Sequence, residues 1–138
     1  MSKLPVHIAS FLLLLLSACV VLRPGPAPVS ENPAVLTLVE QARADTAQNK
    51  LQSASATIER ALRIEPRNPW LWQELARLYL TLGDHAQAES FAARSNTWAA
   101  GDRALGAANW RLIGTARAAR GDAAGAQAAE TRAVELER

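Results

Sequence analysis

Two kinds of helix punctuation recur along this chain, and they constrain its architecture more tightly than any bulk property. Asn32-Pro33 and Asn68-Pro69 each set a side-chain acceptor before a proline. The Asn suits an N-cap, and the proline's fixed φ and missing N–H suit the first helical position. Gly83-Asp84 and Gly121-Asp122 set a residue tolerant of left-handed backbone before another capping side chain. Each such pair ends one helix and opens the next. Between the marks, apolar residues keep helical spacing. Trp72, Leu75, Ala76 and Tyr79 follow i, i+3, i+4, i+7, and Leu51, Ala54, Ile58, Ala61 and Leu62 do so to within a residue. Trp110, Ile113 and Gly114 restart the series. The pattern predicts six helices over 33–48, 51–64, 69–82, 85–97, 102–120 and 122–136. Composition agrees: Ala is the commonest residue and Arg is abundant, while only two Phe and one Tyr are present.

The residues ahead of this pattern read as an address. Met1 to His7 carries a single Lys3, and Ile8 to Leu16 is apolar with five consecutive leucines. Small residues then lead to Cys19. A charged start, a short apolar run and small residues before a cut describe a secretory signal over 1–18. The uncharged stretch from Ile8 to Leu22 is shorter than the roughly 20 residues of a spanning helix. Leu16-Ser17-Ala18-Cys19 resembles the bacterial lipobox, and the chain's one cysteine stands where that motif requires it. The resemblance implies cleavage before Cys19, its lipidation, and a membrane anchor of three acyl chains, each buried methylene contributing about 0.8 kcal/mol. Val20 and Val21 after the cysteine imply sorting to the outer membrane, since Asp there is the usual retention signal. Leu22 to Glu31 contains three prolines and a glycine, which excludes a helix. Residues 19–31 therefore read as a lipidated cysteine and a tether, of about 40 Å at most from Val20 to Glu31. The folded domain is expected over 32–138.

That domain resembles the tetratricopeptide-repeat family. Trp72, Leu75, Ala76, Tyr79, Gly83, Asp84 and Ala88 fall where the motif places an aromatic, Leu, a small residue, Tyr, Gly-Asp and Ala. Trp110, Ile113, Gly114, Gly121, Asp122, Ala126 and Ala133 repeat the match, and Ala42, Ala54, Ile58, Ala61 and Pro66 give a more degenerate one. Ala54 to Ala88 spans the family's 34-residue period. Ala88 to Ala126 is four residues longer, which predicts a fifth helix extended at its N-terminus and capped by Asp102. The implied fold is all-α: about three helical hairpins stacked as a short right-handed solenoid. One hairpin cannot bury its apolar face alone, and about three are the minimum that can. Small residues at Ala76, Ala88, Gly114 and Ala126 let helices approach. Trp72, Tyr79, Phe91 and Trp110 fill the space beside them.

Catalysis finds no support in the residues. The chain after Cys19 has one histidine, His85, in the turn after Gly83-Asp84, so neither a proton relay nor a His-based metal site is available. No nucleophile elbow, Walker loop or dinucleotide fingerprint occurs. No cofactor and no metal are expected. The 15 Lys+Arg and 13 Asp+Glu are interspersed, which excludes a nucleic-acid footprint. In the family, the first helix of each hairpin lines a concave groove. Carried over by motif, the groove positions are Leu36, Val39, Arg43, Trp70, Gln73, Arg77, Leu80 and Arg111. Of these Arg43, Trp70, Gln73, Arg77 and Arg111 are the candidate partner-binding residues, an aromatic among arginines being the composition of binding hot spots. The competing reading makes the arginines ordinary solvated residues and Trp70 a packing one. The Lys/Asn clamp that some members use for C-terminal carboxylates is not reproduced.

A second resemblance runs through Arg94-Ser95-Asn96, Ala100-Gly101-Asp102-Arg103-Ala104-Leu105 and Asn109-Trp110-Arg111-Leu112-Ile113. This stretch is similar to outer-membrane lipoproteins that activate bifunctional (class A) penicillin-binding proteins. It implies an envelope-protein partner and regulation of a peptidoglycan synthase. The alternatives are an adaptor for another envelope assembly or secretion machine, and a small-molecule or glycan binder, which would need a deep pocket.

Overall fold

The computed structural model describes residues 29–138; Cys19, the signal sequence and most of the expected tether lie outside them. Six helices follow in order: α1 (Pro33–Ala47), α2 (Leu51–Ile64), α3 (Pro69–Leu82), α4 (His85–Trp98), α5 (Arg103–Ala119) and α6 (Ala123–Glu137). Every helix end falls within a residue of its predicted position. The reason is local chemistry. Asn32 Oδ1 accepts from the Ala34 N–H, and Asn68 Oδ1 accepts from Trp70 and Leu71. Asp84, Asp102 and Asp122 accept from Gln87, Leu105 and Gly125. Each bond satisfies an N–H that the helix cannot. Gly83 and Gly121 both take φ of 84°, the left-handed conformation that ends a helix without a Cβ penalty. The α1–α2 turn has no glycine, and Asn49 takes that conformation at φ 58° instead.

The helices form three hairpins, α1–α2, α3–α4 and α5–α6, with α2 packed on α3 and α4 on α5. The all-α hairpin stack expected from the repeats is thus the architecture observed. Two apolar clusters run through it. The first joins Val35, Leu38, Ile58, Leu62, Leu71 and Leu75, and the second joins Ala76, Ala92, Ile113 and Ala129. Full burial of each Val, Leu or Ile contributes about 1.5–3 kcal/mol. The first cluster is built from large side chains and the second mainly from alanines, so the third hairpin approaches the stack more closely. A Cβ on Gly114 would lie 3.3 Å from the Ala126 carbonyl oxygen and 3.5 Å from the Ala129 Cβ. At α3 and α4, Phe91 lies between two aromatics: Trp72 stacks on it at 5.8 Å and Tyr79 meets it edge-on at 5.0 Å. The four-residue insertion lengthens α5 to 17 residues, beside 14 in α3 and α4.

The packed chain begins earlier than the repeats suggest. Ser30 is buried, and its hydroxyl donates to Glu65 Oε1 at 2.6 Å. The Asn68 amide donates to the Val29 carbonyl at 2.7 Å, and Val29 packs on the first cluster. Residues 29–31 therefore belong to the edge of the fold, fastened to the α2–α3 turn, and not to a free tether.

Candidate protein-docking face

The first helices of the hairpins carry the candidate residues: Arg43 on α1, Trp70, Gln73 and Arg77 on α3, and Arg111 on α5. The structure gives them unequal freedom. Arg43 is exposed and pairs with Glu40 one turn back at 2.6 Å, a contact that solvent and side-chain entropy leave weak. Arg77 is exposed too, and its guanidinium donates to Gln73 Oε1 at 3.2 Å. Among the described residues it holds no carboxylate. Trp70 is half-buried and borders a cleft of about 460 Å³ with Val29, Pro66 and Arg67. Of the apolar groove positions, Leu36 is 39% exposed, Leu80 is half-buried, and Val39 is buried in the first cluster.

Two of the expected contacts do not face outward. Gln73 is 4% exposed, and its amide donates to Asn109 Oδ1 at 2.9 Å. Its motif position placed it on the groove wall; burial and two hydrogen bonds make it an internal strut. Arg111 is held by α6. Its guanidinium donates to both oxygens of Glu137, at 2.6 and 2.8 Å, and lies 3.5 Å from Glu130. The hydrogen bond to Glu137 pushes the Arg111 pKa above its ordinary value, and the same bond lowers the Glu137 carboxyl. Binding a partner through Arg111 would require giving up this fork-like pairing.

Sequence reasoning did not foresee the polar chain in which Gln73 takes part. Arg77 donates to Gln73, Gln73 to Asn109, and Asn109 to both Ser95 Oγ at 2.7 Å and Asn96 Oδ1 at 3.0 Å. Ser95 in turn donates to the Pro69 carbonyl at 2.7 Å. Asn109 and Ser95 are fully buried. The chain ties α3, α4 and α5 in one register, because slipping any helix would leave buried polar groups unpaired. Ser95, Asn96 and Asn109 all fall in the 94–113 stretch, whose residues here set the third hairpin on the second. The available signal was that stretch's run of uncharged polar residues at positions a helix would bury.

Among the described residues no group of His, Cys, Asp or Glu is arranged to hold a metal ion, and no helix is long and apolar enough to cross a membrane. The Nδ1 atom of His85 is buried and has no hydrogen-bond partner. What the outward side of α1 and α3 offers is an aromatic edge, an apolar Leu36 and two solvent-facing arginines.

Residues 38–109 match the tetratricopeptide-repeat family. Among solved structures, the globular C-terminal domain of P. aeruginosa LpoP is similar at 41% identity and TM-score 0.73, covering 75% of this chain and 98% of that one. The Sgt2 TPR domain from Aspergillus fumigatus is similar at 26% identity and TM-score 0.69, covering 82% of this chain and 72% of that one. The first TPR of Spaghetti (RPAP3), bound to the HSP90 peptide SRMEEVD, is similar at 25% identity and TM-score 0.68, over 75% and 79% of the two chains. No curated protein matches the chain.

Proposed function

The chain belongs to the tetratricopeptide-repeat family and, within it, to the family of the LpoP globular domain; from that premise we propose that it is an envelope lipoprotein that docks a class A, bifunctional penicillin-binding protein and raises its glycan-polymerising activity. The observation that carries this reading is the likeness to the LpoP domain over nearly that domain's whole length. The fold and these relatives point to an interaction module, not a catalyst. The resemblance of residues 94–113 to activators of such synthases supplies the partner class.

On this reading Cys19 carries the lipid, and the protein faces the periplasm from the outer membrane. With Val29 packed on the fold, the nine residues from Val20 to Pro28 can span about 32 Å at most. The folded domain is therefore held close to the membrane that carries the lipid, and the partner must reach it there. The outward side of α1 and α3 is the docking face. Trp70 supplies an apolar anchor, and Arg77, backed by Arg43, selects an acidic partner segment. A peptide held by a related domain, SRMEEVD, is itself acidic. Gln73 and Arg111 act from behind, Gln73 by orienting Arg77 and Arg111 by fastening α6.

The test is binding of the full chain, purified in mild detergent, to a purified class A synthase. Saturable binding that weakens with salt is expected, since attraction between exposed charges is screened. No binding at any salt concentration would overturn the reading. The anchor has its own test: Cys19→Ser should abolish incorporation of a fatty-acid label, and equal labelling of mutant and wild type would refute it.

A further inference from the structure

The second helices of the first two hairpins flank a slot. The backbones of the second helices, α2 and α4, do not approach each other closely, although Phe91 of α4 packs on the cluster that includes Ile58 and Leu62 of α2. The space between them is floored from beneath by Trp72 of α3 and walled by Phe91 of α4. Two adjoining clefts of about 580 and 470 Å³ share Pro66, Trp72 and Arg94 and form one continuous groove. Its mouth ends at Trp98, which is 36% exposed, one of the few large apolar side chains so exposed among the described residues.

The charge around this groove is one-sided. Arg94 lies over the Trp72 ring at 4.7 Å, and Arg67 lies over the Trp98 ring at 5.2 Å. Arg63 lines the same groove. Among the described residues none of the three holds a carboxylate, whereas Arg111, Arg117, Arg120 and Arg132 all do. The one acid on the groove wall, Glu59, accepts from the Tyr79 hydroxyl at 3.4 Å. The arginines are planar, weakly hydrated and unpaired, which suits carboxylates presented in a fixed row.

We propose that this groove between α2 and α4 is a second docking site, which takes an acidic segment of a protein partner whose aromatic or leucine side chains sit on the Trp72–Phe91 floor. Carboxylates of the segment pair with Arg63, Arg67 and Arg94, and its apolar side chains displace water from the floor. The site adjoins the Trp70 cleft, with which it shares Pro66 and Arg67, but is lined by α2 and α4 and does not depend on the synthase reading. A chain with both sites occupied would link two proteins, or grip one partner at two points.

The experiment uses the full chain in mild detergent and a fluorescein-labelled peptide, Glu-Glu-Phe-Glu-Leu-Glu, with both ends blocked. Fluorescence anisotropy should show saturable binding, and a control peptide with lysine for every glutamate should not bind. Arg94→Glu or Trp98→Ala should weaken binding by roughly tenfold or more if these are anchors, and clearly more than Arg77→Glu does. Circular dichroism establishes that the variants are folded, and Arg94→Lys, which keeps the charge, should recover part of the affinity. Absence of binding overturns the proposal, as does equal loss in Arg77→Glu, which would place the peptide at the other site. Binding of an N-acetylglucosamine oligomer or of anionic phosphatidylglycerol vesicles, without the peptide, overturns it in favour of a glycan or membrane site. Because no synthase is present, this result stands apart from the test of the proposed function.

Discussion

The second and third hairpins use arginine in opposite ways. On α5 and α6, and at the residue that ends α5, the guanidinium groups are paired with partners within the molecule, at its surface. Arg111 is clasped by Glu137, Arg117 and Arg120 share Glu89 at 2.7 and 2.9 Å, and Arg132 meets Glu135 at 2.8 Å. Arg103 donates to the carbonyl of Leu136 at 2.9 Å. Around α3 and the flanking ends of α2 and α4, Arg63, Arg67, Arg77 and Arg94 are left without acids among the described residues, and two of them rest on tryptophan rings. The interiors differ in the same sense. The third hairpin closes on small residues around Ile113, with Trp110 at the margin, while the second carries the Trp72, Tyr79 and Phe91 cluster. On the proposed reading, the third hairpin is the internally paired part of the stack and the second is the part that meets partners.

That division makes different readouts move for different substitutions. Gly114→Leu should have the largest effect, because even a Cβ there is tight against the Ala126 carbonyl. Over-packing at such a contact costs roughly 1–3 kcal/mol or more. The melting temperature should fall by about 4–8 °C for each kcal/mol in a domain near this size. An unchanged melt would mean that the third hairpin is not closely packed at this point. Trp70→Ala comes next, and it should act on the partner, not on folding. If Trp70 is a true anchor, binding to the synthase weakens by about 2 kcal/mol, roughly thirtyfold, with helical content preserved. A loss of helix in this variant would instead make Trp70 a packing residue and erase the contrast.

Asn109→Leu probes the joint between the two regions. It removes the partner of Gln73 and one of the partners of Ser95, and unsatisfied buried groups cost about 1–3 kcal/mol. Chemical denaturation should show lower stability, and with Gln73 released, Arg77 should lose its orientation, so synthase binding should weaken as well. Stability lost with binding intact would separate the strut from the docking face. The smallest effect expected belongs to Tyr79, the chain's one tyrosine, so tyrosinate absorbance reports it alone. Burial first, and Glu59 second, push its pKa above the ordinary value. A raised pKa in the folded state favours the neutral phenol. Its contribution is therefore fully present below about pH 10 and is lost as pH rises through the folded value. Absorbance should titrate later in the folded chain than in urea, and coincident curves would mean that Tyr79 is freely solvated.

Helix boundaries were legible because caps act over two or three residues: Asn68 reaches Trp70 and Leu71, and Asp102 reaches Leu105. The hairpin stack was legible because Ala76, Ala88 and Gly114 sit at motif positions that only a close helix contact requires. The site was less so. Nothing near Gln73 in sequence announces that Asn109, 36 residues on, takes its amide. Arg111 reads as a groove residue until the last turn of α6 brings Glu137 beside it from 26 residues away. Ser30 looked like tether because its partner, Glu65, lies across the first hairpin. The stacking of Arg67 and Arg94 on tryptophans likewise depends on how two hairpins meet, which no local pattern encodes.

Glycan polymerisation by a purified class A penicillin-binding protein, measured with and without a saturating amount of the full chain, tests the central claim most directly. A several-fold rise in rate is the result expected, abolished by Arg77→Glu on the second hairpin and retained by Arg132→Glu on the third. A synthase that binds the chain yet polymerises no faster, or one stimulated equally by both variants, would contradict it.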